Sequence, residues 1–495
     1  DTLLLPFWNR RDGIVSDARD PCALAFSAPR ACRCGFGLAS ALMLAFNGSS
    51  NLCQACHAVS INFGSASSLR DGFLRSSHFR LLCVTGLNRW VLRKLEPLGV
   101  LYQTGLQVPF FKARFEFVLE ELLRSCKAQY VDELIKQDDF VRTLIKIANS
   151  IKPMKSEARK GALRKMLKKI QFVEPISLPL NPELKVSGID VEKCKYMDSK
   201  KLPLWLVFKN ADNTVQHPIY TMFKAGDDLR QDMLTLQLMK IMEKIWSKAS
   251  LDLRMNVYGC VSTGLSDGFL EIVQNAETMS KIASKYGGGA KAVFRVETLQ
   301  NWLVSNNRTG EDYSQAVEKF IRSCAAYCVA TCVLGIGDRH NDNVMIKRTG
   351  EFFHIDFGHI LGHFKSKFGI KRERAKFVFT PDMAYVMGGT ADERFNQFQE
   401  LCGLAFNKLR ENAHLFLNLI NLMVSSGIPE LATPQNVCYL RDILVLDLSE
   451  EDAKEKFNEW IFESLQTTAT QMQRADSSME LFFRMWRKHT ATYKI

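Results

Sequence analysis

The tightest constraint on this chain is an acid-bearing loop that runs straight into a hairpin and a second acid. Gly337-Asp338-Arg339-His340-Asn341-Asp342-Asn343 leads into Val344–Ile355, a strand–turn–strand pattern centred on Thr349-Gly350, followed by Asp356-Phe357-Gly358. If Thr349 and Gly350 form a two-residue loop, opposed residue numbers add to 699, which sets Asn343 against Asp356 at the open end. An amide oxygen and a carboxylate converging there are hard donors. They suit Mg²⁺, which completes its shell with water and phosphate oxygens. Asn343 and Asp356 are therefore the expected metal ligands of a site for a phosphate-bearing ligand.

Such a ligand also needs a protein cation. Lys224 ends the strand-like run Ile219–Lys224, and Gly226-Asp227-Asp228 supplies a turn and cap before a helix expected near Leu229. Asp232, one to two turns into that helix, is placed to orient Lys224. Asp338 precedes Asn343 by five positions, the D-x-x-x-x-N interval of kinase catalytic loops. Asp338 and His340 are both candidates for handling the proton of an acceptor hydroxyl. In a loose phosphoryl-transfer transition state, positioning and charge neutralisation supply most of the rate. A glycine-rich phosphate loop is missing. Met197–Pro203 stands in its place and offers a hydroxyl, backbone amides and lysines instead.

Charge narrows the partners. The net charge of +12 is carried by two short runs. Eight Lys and Arg between Lys152 and Lys169 face only Glu157, and six between Lys365 and Lys376 face only Glu373. Nucleic acid or anionic lipid would each satisfy such runs, but no nucleic-acid-binding motif accompanies them. The first run carries Met154, Ala158, Ala162, Met166 and Ile170 on one face of an expected helix. That helix suits a membrane surface or, more commonly, the outer side of a packed helix. With 46% hydrophobic and 24% charged residues, a mostly disordered or collagen-like chain is excluded. No run of 18 apolar residues is present, so no spanning helix is expected. Fourteen cysteines in 495 residues do not form a small disulfide scaffold. Cys324, Cys328 and Cys332 recur every four residues in an apolar helical pattern, as buried free thiols do. A reducing, cytoplasmic setting is expected.

Four regions are read along the chain. Residues 1–110 remain unassigned. Cys53-Gln-Ala-Cys56-His57 matches a haem-attachment pattern, Cys32, Cys34, Cys53 and Cys56 a zinc set, and Asn47-Gly-Ser49 a glycosylation triplet, each without supporting context. Residues 111–174 read as helical, ending at Pro175, Pro179 and Pro182. Strand-like runs at Leu202–Lys209, Ile219–Lys224 and Gly268–Val273 precede helices expected at 229–248, 313–334, 393–424 and 450–472, with Gly287-Gly288-Gly289 in a connector. Strands first and helices afterwards predict an α+β fold of two lobes, 175–273 and 274–495. The C-terminal Leu481–Lys488 mixes aromatics and cations that suit a lipid interface.

Lys200-Lys201-Leu-Pro-Leu-Trp205, Phe223-Lys-Ala-Gly-Asp-Asp-Leu-Arg-Gln-Asp232, Leu251-Asp-Leu-Arg-Met255, Tyr258-Gly-Cys260, the Gly337–Asn343 loop and His354-Ile-Asp-Phe-Gly358 together resemble the catalytic subunit of a phosphoinositide 3-kinase. The likeness covers roughly residues 175–465, and residues 114–135 resemble the end of that family's helical domain. It implies a two-lobed, protein-kinase-like fold that transfers the γ-phosphate of ATP to the 3-hydroxyl of an inositol lipid, with Mg²⁺. It further implies that Ser199 and Lys201 belong to the phosphate loop, that Lys224 contacts the nucleotide phosphates, and that Asp232 and Tyr258 flank it. Glu271, Ile272 and Val273 would form the hinge facing adenine, Met345 and Ile355 the floor, and Trp205 and Met222 the cover. Lys365, Lys367, Lys371, Arg372 and Arg374 would read the headgroup. This run resembles class I enzymes and implies phosphatidylinositol 4,5-bisphosphate. Lys376, where the family usually has proline, departs from it, and Thr380–Tyr385 looks more like class II. Membrane recruitment and a regulatory adaptor are implied as well. A catalytically silent scaffold is the alternative of another kind, although no catalytic position is lost.

Overall fold

The computed structural model describes residues 120–467 except 122, 200, 213, 215–216, 287–295, 364–365, 368–369, 372–374, 424–427 and 432–434. The expectations for residues 1–110, Gly287–Gly289 and Leu481–Lys488 lie outside the described residues.

Strands β1 (Ile176–Leu178), β2 (Asn181–Ile189), β3 (Lys195–Tyr196), β4 (Leu204–Asn210), β5 (Ile219–Ala225), β6 (Cys260–Ser262) and β7 (Asp267–Glu271) form one antiparallel sheet. Its order is β1-β2-β4-β5-β7-β6, with β3 on β4. One face must be covered, because a sheet stabilises only by burying its apolar side. Helices α1 (Ala128–Ile151) and α2 (Ser156–Leu167) cover it, bringing Phe140, Leu144, Ile151, Leu163 and Leu167 against Leu178, Val186, Leu206 and Phe208. The division expected at residue 175 thus falls inside a shared core.

The helix expected across the first basic run covers only Ser156–Leu167, because α1 ends at Ile151 before the run begins. Pro153 has no N–H to extend the ladder, and α2 restarts at Ser156. Its buried residues are Leu163 and Leu167, while Ala158 is exposed. Arg164 and Lys168 pair with Glu192 in the turn between β2 and β3, and Lys155, Lys160, Lys165 and Lys169 are exposed.

The second lobe is built round α6 (Gly310–Val333), which follows α3 (Arg230–Lys248), α4 (Met279–Tyr286) and α5 (Thr298–Asn306). From Ser323 to Val333 every residue of α6 is buried, the pattern of a helix enclosed by core on all sides. Cys324, Cys328 and Cys332 lie there as free thiols, and burial pushes Cys328 and Cys332 well above the usual thiol range. A small sheet in the order β10-β9-β8, from β8 (Ala276–Thr278), β9 (Val344–Lys347) and β10 (Phe352–His354), packs on this helix. There the amide of Phe352 donates to Ser323 Oγ at 2.9 Å. A short ribbon, β11 (Ser366–Lys367) with β12 (Ile370–Lys371), and helix α7 (Pro381–Val386) follow. The helix expected over 393–424 breaks at Asn412 into α8 (Glu393–Glu411) and α9 (Ala413–Met423), then α10 (Gln435–Ile443) and a helix at 450–467. Trp246 of α3 is buried and donates its Nε1–H to the Ala405 carbonyl of α8 at 2.9 Å. Among the described residues no helix is long and apolar enough to cross a membrane.

Candidate active site

The hairpin forms, one register away from the expected one. Phe352 opposes Ile346, Phe353 opposes Met345 and His354 opposes Val344, so paired numbers add to 698. The loop has three residues, Arg348-Thr349-Gly350, closed by the Gly350 amide on the Lys347 carbonyl and the Lys347 amide on the Glu351 carbonyl, both 2.9 Å. Gly350 takes φ +102°, and a Cβ there would overlap the Ala316 carbonyl of α6. Packing against the helix therefore selects a turn ending in a left-handed glycine over the two-residue loop. Asn343 accordingly opposes Ile355, whose amide donates to its carbonyl at 3.0 Å. Asp356 lies one residue beyond, at φ +62°.

The metal-ligand candidates are positioned by buried hydrogen bonds. Asn343 is buried and donates its Nδ2–H to the Asp338 carbonyl at 2.9 Å, which orients its amide and leaves Oδ1 as the acceptor. Asp338 adopts φ +54°. Arg339, largely enclosed, donates to the carbonyls of Gly337 (2.9 Å), Ile355 (2.8 Å) and Asp356, and its guanidinium sits 5.8 Å from the Phe357 ring centre. Behind Phe357, Asp232 accepts its amide at 3.0 Å, and Gln231 donates to its carbonyl at 2.8 Å. Burial pushes the Asp232 carboxyl up to about 6, against the opposing pull of Lys224 and the Phe357 amide.

On the sheet side, Lys224 Nζ lies 3.1 Å from Asp227 Oδ2. Burial works against its charge, but Asp232, Asp227 and Asp356 outweigh it and raise its pKa. Asp232 thus acts on Lys224 through its field and on Phe357 by direct contact, while the ion-pair partner is Asp227. Lys201 pairs with the same Asp227 at 3.6 Å and donates to the Gly226 carbonyl. Ser199 is exposed in the loop that the Met197 amide closes on the Pro203 carbonyl at 2.9 Å. Tyr258 is buried edge-on to Phe353, and its hydroxyl pKa is raised well above the usual value by burial, then by Asp232 and other neighbours including Asp356. Among the described residues Tyr258 and Lys224 make no hydrogen bond to each other.

Trp205 opposes Met222 in the β4–β5 register, and Lys224 follows two residues on, so all three share one sheet face. They are half-buried while Leu204, Leu206 and Phe223 are buried. From Glu271 the chain leaves this sheet through Ile272, whose amide donates to Tyr220 at 3.4 Å, and Val273, then enters β8 beside β9. Met345 and Ile355 are half-buried on that second sheet and its end. His340 is exposed; its Nδ1 accepts the Asp342 amide at 3.3 Å and lies 3.8 Å from the Asp342 carboxylate. Lys365, Arg372 and Arg374 lie outside the described residues, and the backbones of Lys367 and Lys371 run in the β11–β12 ribbon.

The residues that sequence reasoning missed act on backbone. Arg339 sat inside a quoted motif, but nothing in its spacing says that it turns back onto three carbonyls. Glu430 accepts the Ile360 amide at 2.6 Å, lies 2.6 Å from His359 Nδ1 and receives Gln231 at 3.3 Å. It fixes the segment after Asp-Phe-Gly from 70 residues away, a distance no local pattern reports.

Residues 218–433 match the family described as phosphatidylinositol 3- and 4-kinase. Phosphatidylinositol 3-kinase 1 of Dictyostelium discoideum is 50% identical over 359 residues, 72% of this chain and 23% of its own length. Phosphatidylinositol 3-kinase 2 of the same organism is 47% identical over 366 residues, 74% of this chain and 20% of its own. The human phosphatidylinositol 4-phosphate 3-kinase C2 domain-containing subunit beta is 43% identical over 378 residues, 75% of this chain and 23% of its own. The chain spans less than a quarter of the length of these curated relatives. Residues 218–433 thus form a phosphatidylinositol 3- and 4-kinase domain, set in a two-lobed α+β fold.

Proposed function

We propose that the chain transfers the γ-phosphate of ATP to the 3-hydroxyl of a phosphoinositide, with phosphatidylinositol 4,5-bisphosphate as acceptor. The observation that carries this reading is the convergence of Lys224, Asp227, Asp232 and Asp356 in one electrostatic cluster, with Arg339 and the Asn343 loop bracing it. Lys224 and Lys201 would hold nucleotide phosphates as charge donors, replacing their pairs with Asp227. Trp205 and Met222 would cover the adenine ring above Met345 and Ile355, with the backbone at Glu271–Val273 along its edge.

The donor set fits Mg²⁺. Asn343 Oδ1 and the Asp356 carboxylate are hard oxygens, and among the described residues no group of three or more His, Cys, Asp or Glu forms a cage without phosphate. Bound there, the ion would neutralise charge on the phosphates. The protein's own part is to hold the Asp356 backbone through Arg339, the Asn343 amide through Asp338, and the acceptor hydroxyl near Asp338 and His340. His340, exposed and beside Asp342, is placed to take a proton to solvent.

Lys365, Lys367, Lys371, Arg372 and Arg374 are proposed to read the headgroup, since several phosphates need several cations. The relative named for phosphatidylinositol 4-phosphate favours a second acceptor, the monophosphorylated lipid. Peripheral recruitment from the cytoplasm to membranes and a regulatory adaptor complete the proposal. The test is labelled ATP with vesicles of each inositol lipid and identification of the product. A 3-phosphorylated product, strongest from the bisphosphate and abolished by Asp356→Asn in a folded protein, supports the reading. Neutralising Lys371 and Arg372 should depress use of the bisphosphate far more than of phosphatidylinositol. Equal loss on both lipids removes the headgroup assignment, and absence of any product leaves a silent scaffold.

A further inference from the structure

The phosphate side of the cleft is held by a cation from outside the kinase sheet. Lys152, the first residue after α1, donates its ammonium to the Ala225 carbonyl at 2.6 Å. Ala225 is the last residue of β5, directly after Lys224. In the next turn Gly226 takes φ +82°, and the amides of Gly226 and Asp227 both donate to the Ser266 carbonyl, at 2.6 and 2.8 Å. The Gly226 carbonyl receives Lys201. The carbonyls of Ala225 and Gly226 are thus each held by a lysine. A Cβ at Gly226 would come within 3.0 Å of Lys152 Nζ, so the glycine also leaves room for that approach.

The same corner reaches the second phosphate-side segment. Arg159, three residues into α2, donates to the Lys152 carbonyl at 3.2 Å and lies 3.9 Å from Asp198 in the Met197–Pro203 loop. Its guanidinium also sits 6.0 Å from the Tyr196 ring centre, and the Tyr196 hydroxyl donates to the Ser156 carbonyl at 3.2 Å. One bend between two helices therefore touches both segments that carry the candidate phosphate cations, Lys201 and Lys224.

We propose that Lys152 is a positioning residue for nucleotide binding: through the Ala225 carbonyl, and with Arg159 through the 197–203 loop, it sets the separation of Lys224 and Lys201. The helical region thereby tunes affinity for ATP phosphates without touching the reacting atoms. This rests on the reading of the cleft as an ATP site. A hydrogen bond from a charged donor is worth enough that Lys152→Met should weaken ATP about tenfold.

The test measures ATP binding to the whole chain by calorimetry, and separately KM and kcat for lipid phosphorylation. In Lys152→Met, a roughly tenfold rise in both the ATP dissociation constant and KM, with kcat and the KM for lipid kept within about twofold, is expected. Lys152→Arg should restore most of the affinity, and Arg159→Gln should weaken ATP in the same direction by less. Unchanged ATP affinity in folded Lys152→Met overturns the inference. So does a loss spread equally over lipid KM, kcat and melting temperature, which marks a merely structural role. If the unaltered chain binds ATP but phosphorylates no inositol lipid, the substrate reading falls, and calorimetry on the variants still decides this one.

Discussion

The two walls of the cleft are held in place by different physics. On the helical side, Asp338, Asn343, Asp356 and Phe357 are fixed through their backbones. Arg339 donates to three carbonyls, Asn343 is buried on the Asp338 carbonyl, and Asp232 takes the Phe357 amide. On the sheet side, the cations hold one another in check through a shared acid, with Lys224 and Lys201 both on a partly exposed Asp227. Buried groups whose hydrogen bonds are all made permit one arrangement, because leaving any unmade costs the full desolvation. Half-exposed ion pairs are worth little and exchange easily. On the proposed function, the helical wall stays fixed while the sheet wall trades partners when phosphate arrives.

The largest expected effect is therefore at Arg339. Arg339→Ala strips charged donors from Gly337, Ile355 and Asp356 at once, two of these hydrogen bonds being part-buried. At about 1.5–3 kcal/mol for each hydrogen bond to a charged group, kcat should fall by about 100-fold or more. ATP affinity should change far less, since the sheet wall keeps its cations. Arg339→Lys should rescue little, because one ammonium cannot span three carbonyls as a guanidinium fork does. A large loss of ATP affinity with kcat preserved would dissolve the contrast between the walls.

Asp232 joins the walls, and its titration sharpens the comparison. In the fold it titrates near 6, against about 4 in an unfolded chain, because burial disfavours its charge. A raised pKa means that the fold prefers the protonated acid. Its contribution is greatest below about pH 4 and is lost as pH rises toward 6, by about 3 kcal/mol at most. Measured without nucleotide or magnesium, wild type should lose stability relative to Asp232→Asn across that window. Activity should run the opposite way, falling as pH drops through about 6, because protonation removes a carboxylate facing Lys224. Lys224, Asp227, Asp356, Tyr258 and Arg339 all face this group. A stability offset that is flat with pH would show that burial does not govern Asp232.

This contrast also explains what the sequence could reveal. Strands β4, β5 and β7, helices α3 and α6, and the two-lobed order were legible because periodicity and turn residues are local signals. The hairpin was legible, but its register was not. Thr349-Gly350 suits two loop lengths, and the contact of Gly350 with Ala316, 34 residues earlier, chose between them. The break at Asn412 was missed because apolar periodicity continues across it. Lys224, Asp232, Asn343 and Asp356 could be singled out as candidates from type and spacing. Arg339 and Glu430 work by donating to, or accepting from, backbone groups that any residue possesses, so no side-chain pattern marks their targets.

The smallest expected effect is at Asp227, and it tests the exchangeable wall directly. Its carboxylate holds Lys224 and Lys201 at 3.1 and 3.6 Å, yet the Asp227 side chain is 30% exposed and that of Lys201 47%. Partly exposed pairs contribute about 0.2–1 kcal/mol, and these are given up when phosphate binds, so Asp227→Asn should lower KM for ATP by no more than about fivefold and leave kcat unchanged. Lys224 keeps the attraction of Asp232 and Asp356, and Lys201 keeps the Gly226 carbonyl. Raising ionic strength should shrink the remaining difference, because charges open to solvent are screened. A loss as large as that of Arg339→Ala, insensitive to salt, would mean that the sheet wall is as rigidly wired as the helical one and that the lysines do not exchange Asp227 for phosphate.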